Sequence, residues 1–340
     1  MLRESICLWL GAFVFESGVL CQTYIQITEF VGGQIALKTF PTSINNQGAI
    51  VGYWEGVPFL LHGFVRSADG GTITAFDAPG PFVSTFAQSI NDAGAITGYY
   101  QGPANPGPVG FVRDPAGNFT SFAPPGSIST QPQSINARGA ITGYYNEVNL
   151  VIHGFLREPN GKITSFNPPG SISTYPVGVN ANGTIAGYYQ LADRSVHGFV
   201  RRPGGTIESF DPPESTGTTV TGINNAGVIT GSYAGANGHA FGFVRRAGGT
   251  IVSFDVPGSL GTGASSINDE GAITGNYLDN TNQLHGFVRS PEGMITSFDP
   301  VNVCYPGTVK PASINKEGVI TGWCYLANLP IDPGGFARYP

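Results

Sequence analysis

Residues 89–100 read Ser-Ile-Asn-Asp-Ala-Gly-Ala-Ile-Thr-Gly-Tyr-Tyr. Two apolar segments of strand length flank Asn-Asp-Ala-Gly. Asparagine closes turns through its side chain and glycine tolerates positive φ, so the stretch predicts a tight β-hairpin. The pattern I/V-N-x-x-G-x-I-x-G recurs with its asparagine at Asn45, Asn91, Asn136, Asn180, Asn224, Asn268 and Asn315, at intervals of 46, 45, 44, 44, 44 and 47 residues. Self-similarity at such a period marks a repeat architecture.

Two further motifs keep the same period. One reads G-F-V-R in most copies and ends at Arg66, Arg113, Arg157, Arg201, Arg245, Arg289 and Arg338. The other, I-T-S-F with variants, ends at Phe76, Phe122, Phe166, Phe210, Phe254 and Phe298. Each repeat therefore holds four strand-length segments, here a (ending S-I-N), b (I-T-G-Y-Y), c (H-G-F-V-R) and d (I-T-S-F). Gly-rich turns join c to d. Four antiparallel strands in 44–47 residues match one propeller blade.

The seventh d segment is missing at the C-terminus. Ile27-Thr28-Glu29-Phe30 stands 15 residues before Asn45, as Phe76 stands 15 before Asn91. An open stack has no reason to split a repeat between its termini, whereas a ring does. The expected fold is all-β, a seven-bladed β-propeller over residues 23–340, closed by an N-terminal strand (residues 24–30) that completes the last blade.

Composition agrees with this reading. Glycine (50) and proline (26) are abundant, charged residues are 11%, and hydrophobic residues are 41% of 340. Net charge is −6, and seven of the twelve arginines sit at one repeat position, so nucleic acid is not an expected partner. Residues 1–22 carry Arg3 before an apolar stretch, Ile6 to Phe15, in the manner of a secretory signal peptide and too short to span a bilayer. The expected location is extracellular or periplasmic, with the protein acting as a monomer.

The G-Y-Y…H-G-F-V-R…G-x-I-T-S-F pattern over residues 24–340 resembles the probable extracellular HAF repeats. His62, His153, His197 and His285 stand in His-Gly-Phe, while His239-Ala240-Phe241 lies two residues early relative to Arg245. The resemblance implies export and a propeller-like array, and no particular chemistry.

Residues present in every copy serve the repeat. The asparagines read as turn formers. The histidines diverge around a ring and cannot share one ion, so no metal site is expected. The arginines have as nearest acidic candidates Asp77, Asp211, Asp255 and Asp299, but Ala123 and Asn167 break that series, so backbone carbonyls are the expected partners. No catalytic motif appears and no cofactor is expected.

Function is expected on the face bearing the b–c and d–a connections, where the sequence varies. At the end of strand b stand Trp54, Tyr100, Tyr145, Tyr189, Tyr233, Tyr277, Trp323 and Tyr325, each a candidate for binding a carbohydrate or protein partner. The competing reading packs these rings between blades. The last repeat breaks symmetry most, with Cys304 in its long d–a connection and Cys324 beside Trp323, which predicts a Cys304–Cys324 disulfide. The leading expectation is a non-enzymatic binding propeller. A polysaccharide hydrolase or lyase and a structural or adhesive surface protein are the alternatives.

Overall fold

The computed structural model describes residues 4–5, 23–27, 37–57, 59–70, 72–327 and 329–340. Strands lie where the repeats place them. Repeat 1 runs Lys38–Ile44 (a), Ile50–Glu55 (b), Leu61–Arg66 (c) and Ile73–Phe76 (d), each antiparallel to the next. Repeats 2 to 6 follow the same order, from Ser84–Ile90 to Ile295–Phe298. Repeats 3 and 4 join into an eight-stranded sheet through one parallel pair, Ile152 with Ser173; Ala240 with Gly261 does the same for repeats 5 and 6.

Glycine sets the shape of each repeat at two places. Strand a carries a bulge two to four residues before the asparagine, for example between Pro176 and Gly178. The strand b glycine opposite must lack a side chain: a Cβ on Gly187 would lie 2.3 Å from the Tyr175 carbonyl oxygen. On strand c, a Cβ on Gly198 would meet the Phe210 ring at 2.6 Å. The d-strand phenylalanine fills that space.

The core consists of the same residues seven times over. The strand c phenylalanines, from Phe64 to Phe336, are fully buried, as are the strand b isoleucines such as Ile50, Ile141 and Ile229. Five of the six strand d phenylalanines meet the next repeat's strand c phenylalanine edge-on, as Phe166 does Phe199 at 6.1 Å, and Phe76 meets Phe119 at a tilt. Above each lies the next repeat's arginine: Arg201 sits 4.9 Å from the Phe166 ring centroid. This cation–π contact recurs in six copies, which corrects the expectation that backbone carbonyls hold these arginines. Carbonyl bonds occur as well, at Arg157 to Glu158 and Arg289 to Ser290.

The chain closes through its N-terminal strand, in a register different from that expected. Thr23–Ile27 pairs antiparallel with residues 335–339, and Ile27 stands opposite Gly335 as Phe76 stands opposite Gly63. Ile27, not Phe30, fills the phenylalanine slot and is 1% exposed. Thr28, Glu29 and Phe30 lie outside the described residues. Arg66, left without a ring to cover, donates to the Tyr339 hydroxyl at 3.4 Å. Of residues 1–22, expected to be a leader, Glu4–Ser5 pairs with Tyr24 and Thr23, and residues 1–3 and 6–22 lie outside the described residues.

The predicted disulfide is present. Cys304 and Cys324 are bonded with Cα atoms 5.5 Å apart. Cys324 holds the strand b position that Trp54 and Tyr100 hold elsewhere, so the bond stands where other repeats place a ring. No helix among the described residues is long and apolar enough to cross a membrane.

Candidate functional site

The seven asparagines do more than close turns. Each Oδ1 accepts the N–H four residues on, as Asn45 does from Ala49 at 2.9 Å. Each Nδ2 donates to the carbonyl of the next repeat's asparagine, and the last link, Asn315 to Asn45 at 3.3 Å, completes the circuit. A closed circuit of seven equivalent links encloses an axis. The residue before each asparagine, isoleucine except at Val179, lines a cavity of about 170 Å³ with the asparagines around that axis. Most of these aliphatic side chains are buried, and the surface of the cavity is mainly polar, with Asn46, Asp92, Asn225 and Asp269 joining the repeated asparagines.

Five residues before each asparagine, strand a presents a second ring of half-exposed side chains, each paired with the first member of a strand b doublet. Phe40 pairs with Tyr53, Phe86 with Tyr99, Gln131 with Tyr144 and Tyr175 with Tyr188. Lys310 pairs with Trp323, its ammonium 4.4 Å from the indole centroid. The rings also touch from one repeat to the next. Phe40 meets Trp323 at 5.5 Å, Tyr53 meets Phe86 at 5.3 Å, and Tyr144 meets Tyr175 at 5.2 Å. Repeats 5 and 6 break the arc with Thr219 and Ser232, then Gly263 and Asn276. The result is an aromatic wall over five repeats facing a small, polar gap over two.

The wall is semi-dry. Burial pushes the Tyr99 phenol up to about 12, and the neighbouring phenols of Tyr53 and Tyr144 add to the effect. Burial raises Tyr53, Tyr144 and Tyr188 likewise. These hydroxyls are neutral donors at physiological pH. Tyr144 already donates to Gln131 Oε1 at 2.9 Å.

The strand b residues singled out from sequence divide differently. Trp54, Tyr100, Tyr145, Tyr189 and Tyr233 are buried between repeats, so no ligand can stack on them. The reason lies in strand alternation: the two members of each doublet point to opposite faces of the sheet, and the second falls on the face buried between repeats while the first stays half-exposed. The hydroxyls of Tyr100, Tyr145, Tyr189, Tyr233 and Tyr277 each bond a strand d serine, from Ser121 to Ser297, at 2.9–3.0 Å. Repeat 1 pairs Trp54 with Ala75 in these two positions. Tyr277 is half-buried in the same kind of contact, Trp323 belongs to the aromatic wall, and Tyr325 is 39% exposed on the connection face. A signal for the correct doublet member was the strand a residue opposite it, aromatic at Phe40, Phe86 and Tyr175 in three of the five repeats of the wall.

The histidines take the acidic partners first considered for arginine. His62 Nδ1 lies 2.9 Å from Asp77, and His197 Nδ1 2.7 Å from Asp211. In repeat 5 Phe241 occupies the histidine position, and His239, two residues earlier, reaches Asp255 at 2.9 Å through Nε2. Ser195 Oγ stands 2.9 Å from His197 Nε2, but its hydroxyl donates to Asp193 at 2.7 Å, so this line is not an activated nucleophile.

His285 lies between Asp299 (2.7 Å) and Asp279 (3.2 Å). Burial draws its pKa down, but hydrogen bonds and charge from the two carboxylates outweigh it and leave the imidazole above its usual value. A group that binds its proton more tightly when folded contributes fully below the unfolded value of about 6.5 and loses that contribution as pH rises through the folded one. The melting-temperature difference between this chain and His285→Gln should therefore shrink by roughly 1–2 °C between about pH 6 and pH 8. A difference constant over that range would refute the linkage.

No protein-family model and no curated protein matches this sequence. Solved structures do. Virginiamycin B lyase from Staphylococcus aureus superposes with a TM-score of 0.61 at 14% identity, covering 94% of this chain and 99% of that one. A streptogramin B lyase structure gives 0.61 at 14%, covering 93% and 97%. The β-propeller domain of the Trilobed protease from Pyrococcus furiosus gives 0.63 at 8%, covering 88% and 95%. The fold is a β-propeller. At such identities the likeness extends to the fold and no further, and the propeller's site rests on its own geometry.

Proposed function

We propose that this chain is an exported, seven-bladed propeller of the HAF-repeat kind that binds a carbohydrate in its axial well. Each repeat forms one blade, and the split seventh repeat clasps the ring. The observation that carries the binding reading is the asymmetric wall, in which Trp323, Phe40, Tyr53, Phe86, Tyr99, Tyr144, Tyr175 and Tyr188 form an arc opened only at repeats 5 and 6. Packing requires nothing of this asymmetry, since repeats 5 and 6 close equally well without rings. Aromatic faces suit the C–H faces of sugars, and the neutral phenols, Gln131 and Asn276 supply hydrogen bonds for ring hydroxyls. The disulfide supports an oxidising destination.

Titrating the full chain with a panel of neutral oligosaccharides, read by intrinsic fluorescence, tests this. A saturable ligand should lose roughly tenfold or more in affinity on Tyr99→Ala or Tyr175→Ala, equivalent to about 1.4 kcal/mol. It should be unaffected by Tyr100→Phe, whose ring lies between blades. Silence across the panel, or equal losses in all three variants, would overturn the reading.

A further inference from the structure

The face around the mouth of the well carries a second pattern. Among the described residues thirteen large apolar side chains are exposed; nine lie on b–c or d–a connections and two more, Ile172 and Tyr325, on the strand ends beside them, all at one end of the strands. The most prominent are Phe59 (75%), Phe82 (74%), Val148 (79%) and Leu150 (73%), with Val57 and Ile128 beside them. Scattered apolar residues are normal on a surface, but a concentration on one face is not.

Local backbone shows that these positions are not neutral choices. The b–c turns of repeats 1, 3, 4, 5 and 6 place Phe59, Leu150, Arg194, Gly238 and Asn282 at one position, each with positive φ and its N–H bonded three residues back. Glycine and asparagine suit that conformation. Repeats 1 and 3 instead hold a large apolar side chain there, aimed at solvent. Phe82, on the d–a connection between repeats 1 and 2, also has positive φ, at 53°.

Charge selects the partner. Along the arc from residue 38 to residue 175, the described charged groups on this face are Lys38, Glu55, Asp77 and Glu147. Lys38 pairs with Glu55 at 2.8 Å, Asp77 with His62 at 2.9 Å, and Glu147 lies 3.6 Å from His153. The arc's lysine, Lys38, is held by Glu55, so nothing on this arc draws an anionic surface, and Asp77 and Glu147 each stand against a histidine ring. The apolar tips stand singly on separate loops, so a protein partner would need a separate pocket for each. A fluid apolar phase accepts them all at once. We propose that this arc docks the propeller onto an uncharged lipid surface, with Phe59, Phe82 and Leu150 entering the headgroup region.

Flotation with phosphatidylcholine vesicles tests the proposal. The full chain is compared with the same chain begun at Gln22, so that the apolar leader is not the anchor. The triple variant Phe59→Asn, Phe82→Asn, Leu150→Asn keeps residues that tolerate these turns, and an unchanged melting temperature verifies its fold. Both unmutated forms should float, the triple variant should lose roughly tenfold or more of its partition, and salt should have no effect. The proposal is overturned by absence of flotation, by flotation the triple variant retains, or by binding that needs anionic lipid and vanishes in salt. Self-association abolished by the triple variant, without vesicle binding, would assign the arc to a second copy and overturn it equally.

Discussion

Gly187→Ala should destabilise the fold by about 3 kcal/mol, while Gly204→Ala should change it by less than about 1 kcal/mol in the stabilising direction. Both substitutions add one methyl group to a glycine in the same repeat. At Gly187 the methyl would lie 2.3 Å from the Tyr175 carbonyl oxygen and 2.8 Å from two atoms of the buried Phe199 ring. A flexible side chain could yield to such a contact, but the carbonyl belongs to a bulged strand whose position is fixed by pairing on both sides of the bulge. The pairing of a and b must part, or Phe199 must leave its rotamer. At Gly204 nothing lies within 4 Å and φ is ordinary, so alanine mainly removes freedom from the unfolded chain. Urea melts of the two variants decide the matter. Equal midpoints would show that strand b tolerates a side chain, and the account of the I-T-G motif would fail.

Removing residues 1–27 should cost about 5 kcal/mol and lower the melting temperature by roughly 10 °C. The deletion strips five residues from the edge of residues 335–339 and withdraws Ile27 from a cluster with Ile44, Ile50, Trp54, Phe64, Val319 and Ala337. Ile27→Asp isolates the second effect, and burying an unpaired carboxylate there should cost about 3 kcal/mol by itself. The bare edge also exposes unpaired backbone groups, so the truncated chain should associate edge to edge. A truncated chain that melts like the full one and stays monomeric would sink the closure.

The repeats, the strand order, the split seventh repeat and the disulfide were all legible in the sequence, because each rests on spacing and turn chemistry. Three matters were not. The N-terminal strand was aligned by its Phe30, yet the slot it fills accepts any apolar side chain beside a glycine, and Ile27 serves three residues earlier. The arginine was matched to backbone carbonyls, although its partner is a ring in the preceding repeat, a contact that crosses between copies and leaves no mark within one. The strand b doublets showed two adjacent aromatics without showing which one turns inward. That choice depends on the register with strand a, and the buried member was taken for the binding one. The covariation of tyrosine in strand b with serine in strand d, and of Trp54 with Ala75, marked the buried member all along.

The asparagine circuit has a direction: every amide passes its hydrogen bond to the next repeat, and none passes it back. Each joint is thus interchangeable with every other, and the seam of the chain falls inside a repeat rather than at a joint. A duplicated copy could enter at any joint and find on either side the same giver and the same receiver. The architecture can grow or shrink by whole units during its history without the seam having to change.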